Sequence, residues 1–160
     1  MKSIKKVFYV ALMSFIVVSC GSNSQKTTDS TSNQDEKEVS NDPPSYDPKR
    51  GTGKFTKVEV GEKLDEKMAT EGKKSYDVKC SSCHKLTDEK LVGPGWKGVS
   101  QKRTPEWIMN FITNTDEMLN KDPEAQAQLE ICLVRMPNQN LGDDEARHLL
   151  EFMRQNDGVK

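Results

Sequence analysis

The pentapeptide Cys80-Ser81-Ser82-Cys83-His84 restricts this chain more than any other stretch of it. Three chemistries use a C-x-x-C pair. A thioredoxin-like dithiol needs a βαβ setting, and none is legible here. Half of a zinc site needs two more ligands, and the remaining candidates, Cys132 and His148, stand at no recognisable ligand spacing. The third chemistry uses the histidine as well. Two thiols can add across the two vinyl groups of a haem, and the adjacent imidazole then serves as the proximal iron ligand. The motif therefore predicts one covalently bound haem c, held through Cys80 and Cys83, with His84 on the metal.

The first residues read as an export signal rather than as fold. Lys2, Lys5 and Lys6 precede an apolar run from Val7 to Val18, which falls short of the ~20 residues a membrane span needs but suits a signal-peptide core. The run ends in Val17-Val18-Ser19-Cys20, which resembles a bacterial lipoprotein processing box. That resemblance implies cleavage before Cys20, lipidation of its thiol, and a lipid-anchored protein of the cell envelope facing the periplasm. An ordinary signal peptide ending near a cysteine is the other reading. With Cys20 lipidated and Cys80 and Cys83 on haem, only Cys132 is left over, so no disulfide is expected within the chain.

The segments expected are a signal peptide over 1–19, a lipid-anchored linker over 20–60 and a helical domain over 61–160. From Gly21 to about Pro48 the chain is mostly Ser, Asn, Thr, Gln, Asp and Lys, too polar to offset the entropy of ordering it. A linker of this size reaches roughly 35 Å as a flexible coil. Phe55, Val58 and Val60 alternate, as a small strand or a flap on the domain would. Beyond Gly61 the pattern is helical. Leu64 to Lys79 carries Met68, Ala69 and Tyr76 on an apolar stripe, with Gly72 inside it pointing to a close contact. Thr104-Pro105-Glu106 starts a helix with Trp107, Ile108, Phe111 and Ile112 as its apolar face. Asp122-Pro123 starts another, running to about Arg135 and barred from continuing by Pro137. Asp143, Asp144 and Glu145 open a last helix that buries Leu149, Leu150, Phe152 and Met153. No strand-rich segment interrupts this series, so the fold class is all-α, a small helical domain wrapped around one haem.

Gly61 to Asn156 resembles a class I, monohaem cytochrome c domain. Gly72 with Tyr76 before Cys80 is similar to that family's first helix, and Leu149 with Phe152 to the opposing face of its last. Gly93-Pro94, Trp96 and Gly98-Val99 resemble the loop carrying a proline beside the proximal histidine. Arg135-Met136-Pro137, followed by Leu141 to Glu145, resembles the distal methionine loop. The carbonyl of Pro94 is then expected to accept the other ring N–H of His84. Trp96, Trp107, Ile108 and Phe111 are candidates for the haem wall, although each would serve equally as helix-packing core. Pro94 joins them at the haem face.

Met136 is expected as the distal iron ligand, because a helix end before Pro137 lets its sulfur turn inward. Met118 is the alternative, lying in a segment, 113–122, that looks longer than the family minimum. Met68, Met109 and Met153 fit core positions, and His148 fits the surface. Cys132, four residues before Met136, reads either as a small buried hydrophobe or as a redox-sensitive thiol.

Two filled axial positions leave no site for substrate, so a one-electron carrier is expected rather than an enzyme. Its partners would be a membrane electron donor and a terminal reductase or oxidase. The alternative is a haem-based gas or peroxide sensor or enzyme whose distal ligand is labile. A formal net charge of −1 gives no reason to expect nucleic acid as a partner. Charge is nevertheless segregated: residues 73–103 hold eight Lys/Arg against three Asp/Glu, and 104–160 hold five against eleven. Lys79, Lys85, Lys90 and Lys97 could steer an acidic partner to the haem edge, or simply solvate the surface.

Overall fold

The computed structural model describes residues 46–160; the expected signal peptide, Cys20 and most of the expected linker lie outside them. Six helices follow in order: α1 (Glu66–Lys79), α2 (Val99–Lys102), α3 (Pro105–Thr113), α4 (Thr115–Lys121), α5 (Pro123–Cys132) and α6 (Asp143–Asn156). Among the described residues there is no strand, only an isolated bridge between His84 and Lys90. The all-α expectation holds.

Local chemistry sets the helix starts. Asp65 caps α1 by accepting from the Met68 amide at 2.9 Å, so the helix begins at Glu66 rather than at Leu64. Thr104 caps α3 through the Trp107 amide at 3.1 Å, and Asp122 caps α5 through the Ala125 amide at 2.8 Å; each cap is followed by proline at the first helical position. Helix α6 has no side-chain cap, but its first turn carries three carboxylates and its last turn Arg154, which suits the helix dipole.

Among the described residues, helices α1 and α6 make the most extensive helix–helix contact. Gly72 is what lets them approach. A Cβ there would run into the backbone carbonyl of His148 and lie 2.9 Å from the Leu149 nitrogen. The cost of glycine in a helix, ~1 kcal/mol against alanine, is thus offset by bringing two buried faces together. Glu151, fully buried, braces the same crossing. It accepts from Arg154 at 2.7 Å, from Arg147 at 2.5 Å and from the Asp65 amide at 3.0 Å.

Three features differ from the sequence expectation. Helix α5 stops at Cys132 rather than near Arg135, because Leu133 turns into the left-handed region at φ 60°. Segment 113–122, to which the sequence reading assigned no element, contains α4. Residues 46–60, assigned above to the linker, lie as a strap on the helical domain, which fits the flap expected at Phe55 to Val60. Buried Asn110 holds the strap, its amide oxygen accepting from the Phe55 amide at 2.9 Å and its NH2 donating to the carbonyls of Arg50 at 2.8 Å and Phe55 at 2.9 Å. Such an asparagine satisfies strap backbone that would otherwise lose water without a partner.

Candidate cofactor site

Helix α1 delivers the motif by ending in a tight turn. The Cys83 and His84 amides both donate to the Cys80 carbonyl, at 3.0 and 2.9 Å. The Tyr76 hydroxyl donates to the His84 carbonyl at 2.6 Å. The following loop folds back over the motif, with Gly93 N donating to Cys83 O and Trp96 N to Lys85 O, both at 2.9 Å. Trp96 is buried there, its ring 4.9 Å from Tyr76 and 5.7 Å from His84.

His84 Nδ1 lies 2.8 Å from the Pro94 carbonyl, so Nδ1 carries the proton and donates, and Nε2 keeps a lone pair. Among the described residues Nε2 has no hydrogen-bond partner. Burial lowers the imidazole's proton affinity, and the Pro94 bond only partly opposes this; both features keep the neutral tautomer that ligates metals. Gly93 is required at its position, since a Cβ there would collide with the His84 ring.

His84 and Cys83 open onto a cleft with an empty volume of about 1280 Å³, its open mouth included. Pro94, Trp96, Trp107, Ile108 and Phe111 line it, as do Ile112, Leu119, Leu129 and Met153. Every wall candidate read from the sequence is therefore at the cleft. Trp107 is also core: it stacks on Phe111 at 5.0 Å and its indole N–H donates to buried Asp122 at 3.0 Å. Cys80 sits behind the cleft in the core, where burial, then the Glu145 charge, pushes its thiol up to about 11.

On the far side, half-buried Met136 and Cys132 line the cleft. Met118 does not. It is fully buried under the strap, and its sulfur accepts from the Thr52 amide at 3.0 Å. Met68, Met109 and His148 are also absent from the lining, whereas Met153 contributes to the floor from within the α6 core. Because α5 ends at Cys132, Met136 does not share a regular helical face with it. Of the four lysines, only Lys97 lines the cleft. Lys79 pairs with Glu145 at 2.8 Å, Lys85 with Glu89 at 2.7 Å, and Lys90 donates to the Ile131 carbonyl at 2.8 Å. The sequence reading took Asp122, behind Trp107, as a helix start alone and passed over Asn110, whose only sign was a lone amide inside an apolar run.

The donor set suits a haem. Two thiols, a neutral imidazole with its Nε2 unengaged and a cleft thioether surround apolar walls, and Gly93 leaves the ring its room. Comparison with known proteins points the same way. No curated protein matches the chain. A cytochrome c from Rhodothermus marinus superposes with a TM-score of 0.63 at 30% identity, covering 66% of this chain and 90% of its own. An engineered form of it, described as bound to a carbene intermediate, superposes with a TM-score of 0.60 at the same identity and coverage. The cytochrome c family model matches residues 69–157, a span that holds the attachment motif, the cleft and most of the α1–α6 crossing. The chain belongs to the cytochrome c family, whose members carry covalently bound haem c.

Proposed function

We propose that the protein is a one-electron carrier, with thioether links at Cys80 and Cys83 and with His84 Nε2 and the Met136 sulfur as the two axial ligands. The observation that carries this reading is the sharing of one cleft by His84 and Met136, while the Met118 sulfur is engaged elsewhere. Haem, when bound, supplies a one-electron couple at its iron. The chain does the rest. Pro94 holds the Nδ1 proton, which fixes the imidazole and raises its basicity as a ligand. Trp96, Trp107 and Phe111 keep water from the cleft. With His84 and Met136 both holding the iron, no site would be left for a substrate, and the protein would act as a carrier rather than a catalyst. A thioether opposite an imidazole raises the potential relative to two imidazoles.

Electrons cross at the cleft mouth, whose rim is apolar. Val92, 38% exposed, lines it on one side and Val134, 55% exposed, on the other. Small, weakly held interfaces serve such redox encounters. With three of the four lysines engaged within the chain, steering by a basic ring is a minor contribution, left to Lys97 and to Lys102, which also lines the cleft. We assign the protein to the envelope, lipid-anchored at Cys20 and facing the periplasm, between a membrane electron donor and a terminal reductase or oxidase. Among the described residues no helix is long and apolar enough to cross a membrane.

Met136→Ala tests the ligand. The thioether–iron charge-transfer band should vanish, the potential should fall, and the reduced protein should take up carbon monoxide. Met118→Ala should leave all three unchanged; the reverse pattern would move the role to Met118. A second reading, a sensor or haem enzyme with a labile ligand, draws on the loop around Met136, which lies between Leu133 and Asn140, both at positive φ. Ready uptake of carbon monoxide by the wild-type reduced protein would favour it.

A further inference from the structure

Asp122 is fully buried, yet among the described residues no basic side chain forms an ion pair with it. Three groups donate to its carboxylate instead. The Tyr46 hydroxyl lies 2.5 Å and the Trp107 indole N–H 3.0 Å from Oδ2, and the Ala125 amide lies 2.8 Å from Oδ1. Every neighbour offers a hydrogen and none accepts one, which is the environment of a carboxylate anion. Arg103 lies beside this arrangement, its guanidinium 4.7 Å from the centre of the Trp107 ring. Arg103 is bound at 2.6 Å to Glu124, so its charge is already answered. A negative charge therefore stands in the protein interior, one indole away from the cleft that Trp107 lines. Capping α5 does not need this much, since an exposed asparagine or serine caps as well.

We infer that Asp122 is a positioning residue that sets the reduction potential of the haem, holding the Trp107 wall in place and biasing the bound haem toward its oxidised form with a buried negative charge. This rests on the carrier reading above. The oxidised haem carries one more positive charge than the reduced one, so a fixed anion behind the wall favours it, and little water lies between to screen the effect. Tyr46 moderates the anion. Its phenol donates to the same oxygen as the indole, which draws charge away from the Trp107 side. The strap that precedes the helices thereby reaches the haem wall through one carboxylate.

The test is a redox titration of the haem-loaded full chain. Asp122→Asn keeps the size and removes the charge, its one oxygen serving either the Ala125 amide or the indole and Tyr46; its potential should rise. Tyr46→Phe removes the donor that moderates the anion; its potential should fall. Opposite signs are the signature, because a loosened wall that admits water lowers the potential in both variants. A fall or no change in Asp122→Asn overturns the inference. If Asp122→Asn does not fold, Tyr46→Phe still tests the inference in one direction: Tyr46 is 40% exposed, and an unchanged or raised potential overturns the inference. A wild-type protein without a reversible one-electron couple would remove the carrier reading and this inference with it. A reversible wild-type couple with unmoved variants would remove the inference alone.

Discussion

The two walls of the cleft are built to different standards. The attachment wall, residues 76–98, is fixed several times over. Its loop is pinned to the motif by backbone bonds from Gly93, Trp96 and Lys97. Tyr76 packs 4.9 Å from Trp96 and 5.4 Å from Phe152, tying that loop to α6. The far wall, residues 133–142, is held lightly. Among the described residues, the stretch 134–141 makes no backbone–backbone hydrogen bond. What holds it is Arg135, which donates to the Asp116 carbonyl at 3.1 Å and to Asn120 Oδ1 at 2.9 Å, together with the cleft contact of Met136. Regions with few buried contacts and little backbone bonding open at low cost. A group held by covalent links gains from an immobile wall, because attachment needs the thiols and the imidazole in fixed register. The wall that presents the second ligand can be softer, since its ligand is a single thioether.

The attachment wall should therefore fail abruptly when its support is removed. Gly72→Val adds a branched side chain where even a Cβ meets the His148 carbonyl. That obstacle is backbone and cannot rotate away. The expected outcome is loss of a stable fold, a penalty above about 5 kcal/mol, read as loss of cooperative urea unfolding. A variant that unfolds within 1 kcal/mol of wild type, by the linear extrapolation, would show that α1 and α6 can separate freely. The distinction between the walls would then collapse.

Acid should act on the same wall before it reaches the other. Burial alone would push the Glu151 carboxyl up, but bonds from the Asp65 amide, Arg147 and Arg154 outweigh it and hold the group below the usual carboxylate range. A depressed folded value means that the stabilisation is complete above the unfolded value and is lost as pH falls through the folded one. Stability should thus fall from about pH 5 downward. Glu151→Gln should cost about 3 kcal/mol at pH 7, since it leaves two arginines facing a neutral group, and should flatten the acid slope. The check is urea unfolding at a series of pH values. An identical slope in wild type and variant would place the acid sensitivity elsewhere.

The same division explains what the sequence disclosed. Residues of the attachment wall announce themselves because local chemistry fixes them: a C-x-x-C-H turn and a proline carbonyl within reach of a ring N–H. The α1 and α6 faces were legible from 3.6-residue periodicity, and Met136 from the proline that follows it. The strap was only half legible, because the group that secures it, Asn110, is 55 residues from Phe55 along the chain, and no periodicity signals a bond of that kind. Helix α4 was missed for a related reason. It has only seven residues, and its buried Thr115, Met118 and Leu119 do not make an apolar stripe. Asp122 read as a helix cap and is one; nothing local shows that Tyr46 and Trp107 donate to the same carboxylate. The end of α5 was placed too late because Leu133 is a poor candidate for a left-handed turn.

That turn supplies the smallest and most specific test of the contrast. Leu133 adopts φ 60° at the end of α5 and donates its amide to the Leu129 carbonyl at 2.8 Å. This is the helix-terminating geometry in which glycine is the common choice. For leucine the left-handed conformation costs ~1–2 kcal/mol, and here packing returns little, since the residue is 85% exposed. Leu133→Gly should remove that strain while adding freedom to the unfolded chain worth ~0.4–1 kcal/mol in the opposite direction. The net result should be a protein more stable by about 0.5–1 kcal/mol, seen as a higher urea midpoint with an unchanged slope. Truncating Tyr76 or Trp96 on the attachment wall should bring no such gain, because those rings pack on each other and, through Tyr76, on Phe152 of α6. A loss of stability in Leu133→Gly would mean that the leucine side chain packs against the domain in solution, and the far wall would then be as firmly built as the near one.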